Sequence, residues 1–432
     1  MLLLYFKQAW SLLSQEKLFS SIHVVGTGLS ITLVMLLSIV FHIRIANVYP
    51  ETNRDRTLVF KSAMETYGGG DNSSSVSLKL IDECLRPIEE IEALTVMFRD
   101  WDEHYMQLTA SREQVPVTVK YTDAAFWTVF SFRFIDGKPF TEADFESGIA
   151  ATVISESTAR RLFGRTDVTG EYAGVDFKQY RICGVVKDAS FVTERSYANF
   201  WMPYTLVPDY AQSYGQSGYL GGMQAVMLAS SVSDISRIKQ KAEAWVEQLN
   251  RSSNGEFTFK ALGQPDRHWE STFRYWSNVA PDFIKIACQY GAVFLILLLV
   301  PAISLSGMTD SRMERRLAEM GIRRAFGAPA GNLTMQVFSE NFLFTLLGGM
   351  TGLLFSYLLI FLTADWIMSI GGQLVDLPPE GTKVIFTPGM LMNLPVFLIA
   401  LATCFGLNLM TAMIPAWKAS HRDIIYSLNA KL

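Results

Sequence analysis

Four stretches of this chain are apolar over bilayer-matching lengths, and the intervals between them are polar and mixed. A hydrocarbon core ~30 Å thick is crossed by a helix of about 20 apolar residues. The pattern predicts transmembrane helices over residues 22–43, 282–306, 337–363 and 391–414. The middle of the first, LSITLVMLLSIVF, is uncharged; AVFLILLLVPAISL and FLFTLLGGMTGLLFSYLLIFL lie in the second and third. Pro301 falls inside the second and is expected to kink it or end its regular part. Gly348, Gly349 and Gly352 in the third contain a small-xxx-small pair, a spacing that lets helix backbones approach closely. Residues 1–21, with Leu4, Trp10, Leu12 and Leu13 set against Lys7 and Lys17, read as an amphipathic interfacial helix. A small-residue cleavage site after a short apolar core is missing there, so a signal peptide is not expected.

The long polar interval, residues 44–281, is expected to fold as a domain of its own. Strand-like runs occur at Thr57–Ala63, Thr95–Phe98, Tyr105–Thr109, Pro116–Tyr121, Val153–Ile154, Tyr180–Val186, Gln224–Ala229 and Phe257–Ala261. Helical patterns cover Val76–Leu94, bent or broken at Pro87, Ser157–Phe163, stopped by Gly164, and Ser233–Asn250. A further helix, His268–Pro281, is expected to run on into the second span as a stalk. The fold class is therefore a membrane protein: four transmembrane α-helices plus a large α+β extracytoplasmic domain, with a mostly antiparallel sheet, inserted between helices 1 and 2.

Charge fixes the orientation. Lys7 and Lys17 precede the first span. Arg312, Arg315, Arg316, Arg323 and Arg324 lie between the second and third, and Lys418, His421, Arg422 and Lys431 follow the fourth. Residues 364–390 carry only Lys383 against Asp365, Asp376 and Glu380. The positive-inside rule then places both termini, the 307–336 loop and the 415–432 tail in the cytoplasm, and the 44–281 domain and 364–390 loop outside.

Composition mainly excludes. Charged residues make up 18% of the chain, below the roughly 25% of an average soluble domain, and the deficit lies in the apolar segments. The basic bias with interleaved aromatics that nucleic acid requires is missing. Four cysteines carry no CxxC or Cys/His cluster, so no metal site is expected. Cys84 and Cys183 would be able to pair in an oxidising compartment, but free thiols are the expectation. Ser155 and Ser157 lack a partnered histidine, and His104 and His268 show no ligand spacing. The carboxylate groups Asp100/Asp102/Glu103 and Glu89/Glu90/Glu92 read as solvated faces. No catalytic residue is expected, and Glu340, near the end of the third span, has no second buried acid to relay a proton. GxxxxGK[ST] is absent, so the chain is not expected to bind ATP in a P-loop or to hold a cofactor of its own.

What remains is RMERRLAEMGIRRAFGA, Arg312–Ala328. Leu317, Met320 and Ile322 would enter a cleft on a partner while the arginines contact its rim. Gly321 permits close approach, and Gly327–Ala328–Pro329 ends the helix. Anionic lipid would also attract the arginines, but charge alone does not account for a Gly-Ile-Arg-Arg-Ala-x-Gly-Ala pattern.

That pattern resembles the FtsX-like/MacB-like permease family, the four-span mechanotransmission type of ABC transporter subunit. Arg316, Glu319, Met320, Gly321, Ile322, Arg323, Arg324, Ala325, Gly327 and Ala328 match its R-x-x-E-[IM]-G-[IV]-R-[RK]-A-x-G-A segment. Phe338, Glu340, Gly348, Gly349 and Gly352 match the run that follows. Pro415, Ala416, Ala419, Ser420, Arg422 and Leu428 are similar to its closing segment, although Ile424–Ile425 stands where a proline is common. FRFIDGKPF, VISESTARRLFG and ICGVVKD look like parts of a MacB-type periplasmic core domain.

The resemblance implies a permease subunit in a bacterial inner membrane. It would form a dimer with a second copy or a paralogue and bind a separate ABC ATPase that holds ATP and Mg. Arg312, Arg315 and the segment through Ala328 would couple the ATPase to movement of the external domain, for export or extraction of a substrate. A periplasmic adaptor or outer-membrane channel would extend such a path. The alternative is a membrane-anchored signalling or scaffold protein whose external domain senses a ligand or activates an extracytoplasmic partner.

Overall fold

A computed structural model of the chain describes residues 17–107, 113–274, 276, 278–315, 322, 326, 330–370 and 394–421. The chain divides into two compact units, Met1–Phe41 with Phe283–Ala364 and Leu391–Leu432, and His42–Asp282 with Asp365–Met390. The principal helices are α1 (Lys17–Ile45), α2 (Glu142–Glu146), α3 (Glu156–Phe163), α4 (Ile235–Ser252), α5 (His268–Phe273), α6 (Phe283–Arg315), α7 (Ala330–Ile370) and α8 (Leu394–His421).

The second unit is α+β, built on a mixed sheet. Strand Met223–Ala229 lies antiparallel between Thr57–Phe60 and Ile91–Phe98. The sheet continues through Val119–Thr122 to Phe200–Pro203, then Ala151–Ser155 and Lys178–Val186. Most pairings are antiparallel, but Ala151–Ser155 runs parallel to its neighbour in Lys178–Val186, and Phe200–Pro203 runs parallel to Val119–Thr122. Both faces are covered, which explains why TLVF at residues 57–60 is buried throughout. Side chains alternate across a strand: Leu58 and Phe60 enter one apolar cluster with Leu80, Leu85 and Ile238 of α4, while Val59 enters another with Phe126, Phe130 and Trp201. Each such fully buried large side chain contributes roughly 1.5–3 kcal/mol.

Local chemistry sets the helix ends. Ser155 caps α3 by accepting from the Thr158 N–H at 3.3 Å, and Gly164, at φ +70°, closes it. Thr141 and Asp144 form a capping box on α2.

Two expected helices are corrected. The pattern at Val76–Leu94 becomes a short helical segment over Leu78–Leu85 and then, after Pro87, the strand Ile91–Phe98. Pro87 has no main-chain N–H with which to extend the helix, and the β-branched and aromatic residues among Ile91–Phe98 suit a strand. The expected stalk does not run continuously from His268 to Pro281. α5 stops at Phe273, and Arg274 is extended at φ −79°, ψ 91°. Arg274 is drawn out of helical geometry by a two-pronged pair with Asp266, at 2.6 and 2.8 Å. Cys84 and Cys183 are free and lie in different apolar clusters.

In the first unit, α1, α6, α7 and α8 share a cluster of Ile31, Met35 and Cys404, with Leu298, Leu353, Phe397 and Leu401 against it. Among the described residues, Ser20–Ile45 and Phe338–Thr363 are long and apolar enough to cross a membrane; Phe283–Leu299 and Phe397–Leu407 are shorter apolar helices. α6 continues through Pro301 without ending there. The interfacial helix expected at residues 1–21 lies almost entirely outside the described residues.

Candidate functional site

The expected coupling residues divide. Arg312 and Arg315 sit in the last turn of α6. Arg316, Glu319, Met320, Gly321, Arg323, Arg324, Ala325, Gly327 and Ala328 lie outside the described residues. Ile322 and Phe326 are described. The Phe326 N–H donates to the Ile322 carbonyl at 3.1 Å, and the two side chains are 49% and 88% exposed. This basic segment thus presents two large apolar groups to its surroundings.

The glycines of the third apolar helix mark a close backbone crossing. A Cβ on Gly352 would lie 2.6 Å from the Gly28 carbonyl oxygen, and one on Gly348 would lie 2.8 Å from Thr27 Cβ. A Cβ on Gly349 would collide with Leu401. At 348 and 352 the obstacles are Cβ and main-chain atoms that cannot turn aside, so only glycine fits, and α1 and α7 touch main chain to main chain. Thr32 Oγ1 donates to the Gly28 carbonyl at 2.8 Å and the Gly352 carbonyl at 3.1 Å, tying the helices at this crossing.

Sequence reasoning missed a third feature, a network of buried charges where α1 ends. A helix leaves its last carbonyls without intrahelical partners. Arg54 Nη1 donates to the Ile43 carbonyl at 2.7 Å and the Ala46 carbonyl at 2.9 Å, and its Nε pairs with Glu51 at 2.7 Å. His268 Nε2 donates to the Arg44 carbonyl at 3.0 Å. Glu51 also accepts from the Ser196 N–H and hydroxyl, at 3.1 and 2.9 Å. Nearby, Arg274 pairs with Asp266 and donates to the Val279 carbonyl at 2.7 Å, on the segment leading to α6. Gln264 joins the two stretches, accepting from the Lys61 N–H at 2.8 Å and donating to the Ser62 carbonyl at 2.6 Å. The ends of the polypeptide entering and leaving the α+β unit are thus held by the same strands, Thr57–Phe60 and Asp266–Arg267, which pair directly.

The electrostatics follow from burial. Burial alone would raise the Glu51 carboxyl, but the adjacent Arg54 guanidinium holds it at about 2. Burial, reinforced by Arg54, pushes the His268 imidazole down to about 3. Burial and then the Arg195 guanidinium push the Lys61 ammonium down to about 7.

Of the groups weighed for catalysis, Ser155 bonds Ser157 and Thr158 at 3.1 and 2.8 Å as part of the α3 cap. His104 is clamped between Asp100 at 2.8 Å and Asp176 at 2.5 Å, pinning the turn at 176 to the segment before strand His104–Gln107. Asp100 thus has a half-buried partner, whereas a solvated face was expected. Asp176 gave no sequence signal, since it lies 72 residues away.

Comparison with known proteins adds two family matches. Residues 20–245 match the MacB-like periplasmic core domain, and residues 291–424 match the FtsX-like permease C-terminal domain. An uncharacterized ABC transporter permease of Bacillus subtilis, YknZ, is 23% identical over 327 residues, 75% of this chain and 72% of that protein. The macrolide export ATP-binding/permease protein MacB of Marinobacter nauticus is 23% identical over 335 residues, 76% of this chain but 44% of its own length. This chain therefore spans under half of that relative. The solved periplasmic region of MacB from Actinobacillus actinomycetemcomitans aligns with 48% of this chain and 89% of itself, at 15% identity and a TM-score of 0.34.

Proposed function

This chain belongs to the family of ABC transporter permeases that carry a MacB-like periplasmic core domain and an FtsX-like C-terminal domain, and we propose that it is the transmembrane subunit of an ABC complex. In this reading α1, α6, α7 and α8 are four spans, both termini are cytoplasmic, and the α+β unit lies outside the membrane. A separate ATPase binds ATP and Mg and docks on the segment from Arg312 to Ala328. Two permease chains, identical or paralogous, complete the complex. ATP-driven movement of the coupling segment passes along the helices to the α+β unit, which exports or extracts a substrate. The export roles named for the MacB and PvdT relatives support that direction.

The observation that carries this reading is the network at the end of α1. A transmitting helix must end in something stiff. Here its terminal carbonyls are held by Arg54 and His268, both nine-tenths or more buried. A displacement of the helix end cannot be absorbed by a slack linker without breaking charge-assisted hydrogen bonds. The apolar exposure of Ile322 and Phe326 supports protein docking at the opposite end of the path.

The test is affinity purification of the detergent-solubilised chain from native membranes, with ATPase activity measured in the eluate. The reading predicts a co-purifying P-loop ATPase that is lost with Arg323→Glu/Arg324→Glu. Absence of any ATPase with the unaltered chain would contradict it and favour a membrane-anchored sensor or scaffold.

A further inference from the structure

We propose that the cavity at the foot of the α+β unit, lined by Arg44, Arg54, Lys61, Arg195 and His268, binds a phosphoryl oxyanion that brings its own hydroxyl donor. The inference rests on the geometry of this unit and not on the ATPase reading. The cavity measures about 40 Å³. A single water needs only ~10–15 Å³, so the cavity holds more than one water-sized group.

Its charge is unbalanced. Arg54, Lys61 and Arg195 line it with two carboxylates, Glu51 and Glu194, so a protonated Lys61 leaves one positive charge in excess. Glu51 is already engaged by Arg54 and Ser196, and Glu194 is exposed. Lys61, only 7% exposed, donates to the neutral Ser271 carbonyl at 3.3 Å, and Arg195 donates to the Ser271 hydroxyl at 2.6 Å. Glu194 and Asp266 attract both cations only through space, without a direct hydrogen bond among the described residues, and buried cations so held are costly. An oxyanion in the cavity would supply the missing counter-charge, and a lysine beside arginines is a set suited to phosphoryl oxygens.

His268 narrows the chemistry. Its Nε2 faces the Arg44 carbonyl, so that nitrogen carries the proton. In the neutral ring Nδ1 is then an acceptor. Nδ1 is buried and has no hydrogen-bond partner among the described residues. The low imidazole pKa, caused by burial and then Arg54, keeps the ring neutral. A bare carboxylate or sulfate brings no donor for Nδ1. A hydrogen phosphate, a singly protonated phosphate monoester or a phosphoglycerol head group does.

Position points to lipid as the source. Arg44 lies in the last turn of the apolar helix α1, and Trp269 and Trp276 are 39% and 60% exposed on the stretch that carries His268 and Ser271. Exposed tryptophans next to an apolar helix end suit the head-group level of a membrane. Free phosphate shares the chemistry and forms the second arm of the test.

The experiment is thermal unfolding of the full-length chain under three regimes. It is placed in phosphatidylcholine nanodiscs with and without phosphatidylglycerol, and in detergent titrated with inorganic phosphate or with sulfate. The proposal predicts a higher midpoint with phosphatidylglycerol, and a larger rise with phosphate than with sulfate. Lys61→Met/Arg195→Met is expected to weaken the apparent affinity by about tenfold or more, a loss of ~1.4 kcal/mol, while Lys61→Arg retains it. A response to phosphate without one to phosphatidylglycerol supports the site and assigns a soluble source. Equal responses to phosphate and sulfate, or no response of the unaltered chain to phosphate or phosphatidylglycerol, overturn the proposal even if the variants fail to fold.

Discussion

Arg54 and Ile43 are joined by a 2.7 Å hydrogen bond from a guanidinium Nη1 to a main-chain carbonyl at the end of α1. The same guanidinium pairs with Glu51, so a helix terminus and a buried carboxylate depend on one side chain. Arg54→Met removes both partners and leaves Glu51 buried and unpaired, which costs roughly 3–5 kcal/mol. Denaturant unfolding of the full-length chain, followed by tryptophan fluorescence, is expected to show this loss. Arg54→Met/Glu51→Gln is expected to recover part of it, because no uncompensated charge remains.

The α1–α7 crossing predicts a steric penalty. Gly352→Ala places a methyl 2.6 Å from the Gly28 carbonyl, where backbone must move. Overpacking of this kind costs about 1–3 kcal/mol. Gly291, with nothing near its Cβ direction, serves as the control. Thermal unfolding in detergent should show a lower midpoint for Gly352→Ala and little change for Gly291→Ala.

Acid and alkali should act through different histidines. Unfolded histidine titrates near 6.5, whereas folded His268 does so at about 3. Between these values the unfolded chain holds more protons, so stability falls on acidification by up to ~1.4 kcal/mol per pH unit. Glu51, lowered from 4.5 to about 2, adds a loss of the same sign further into acid. His104 has the opposite sign. Burial opposes its protonation, but Asp100 and Asp176 outweigh burial and raise its pKa. Its stabilisation is full below pH 6.5 and is lost as pH rises through the folded value. Midpoints measured across pH should flatten below neutrality in His268→Gln and above it in His104→Gln.

At the other end of the proposed path, Ile322→Glu and Phe326→Glu replace exposed apolar side chains. The few anchors that dominate an interface cost more than about 1 kcal/mol each when lost, and a buried charge in their place costs further, so ATPase retention in a pull-down is expected to fall severalfold. The melting temperature of the chain alone should hardly move.

The periodicities that predicted the apolar helices and the α+β class depend on neighbours in sequence, and so they were legible. The α3 stop at Gly164 was legible for the same reason. The network at the foot of the domain was not. Arg54 and Glu51 are separated from His268, Asp266 and Arg274 by about two hundred positions, brought together only by the register Leu58↔Arg267 and Val59↔Asp266. His268 has no local ligand pattern, because its partner is a backbone carbonyl. The helix expected through Pro281 failed because a tertiary pair, Arg274–Asp266, overrides local propensity.

The account rests on transmission from ATPase to external domain, and one measurement addresses it directly. Spin labels at Phe177→Cys and Leu362→Cys, both exposed positions, would be introduced into a cysteine-free chain assembled with its ATPase and reconstituted in nanodiscs. Double electron–electron resonance would then compare the nucleotide-free and ATP-trapped states. The account predicts an ATP-dependent change in the distance distribution that is lost in Arg54→Met while ATP hydrolysis persists. An unchanged distribution in the unaltered, ATP-hydrolysing complex would contradict it.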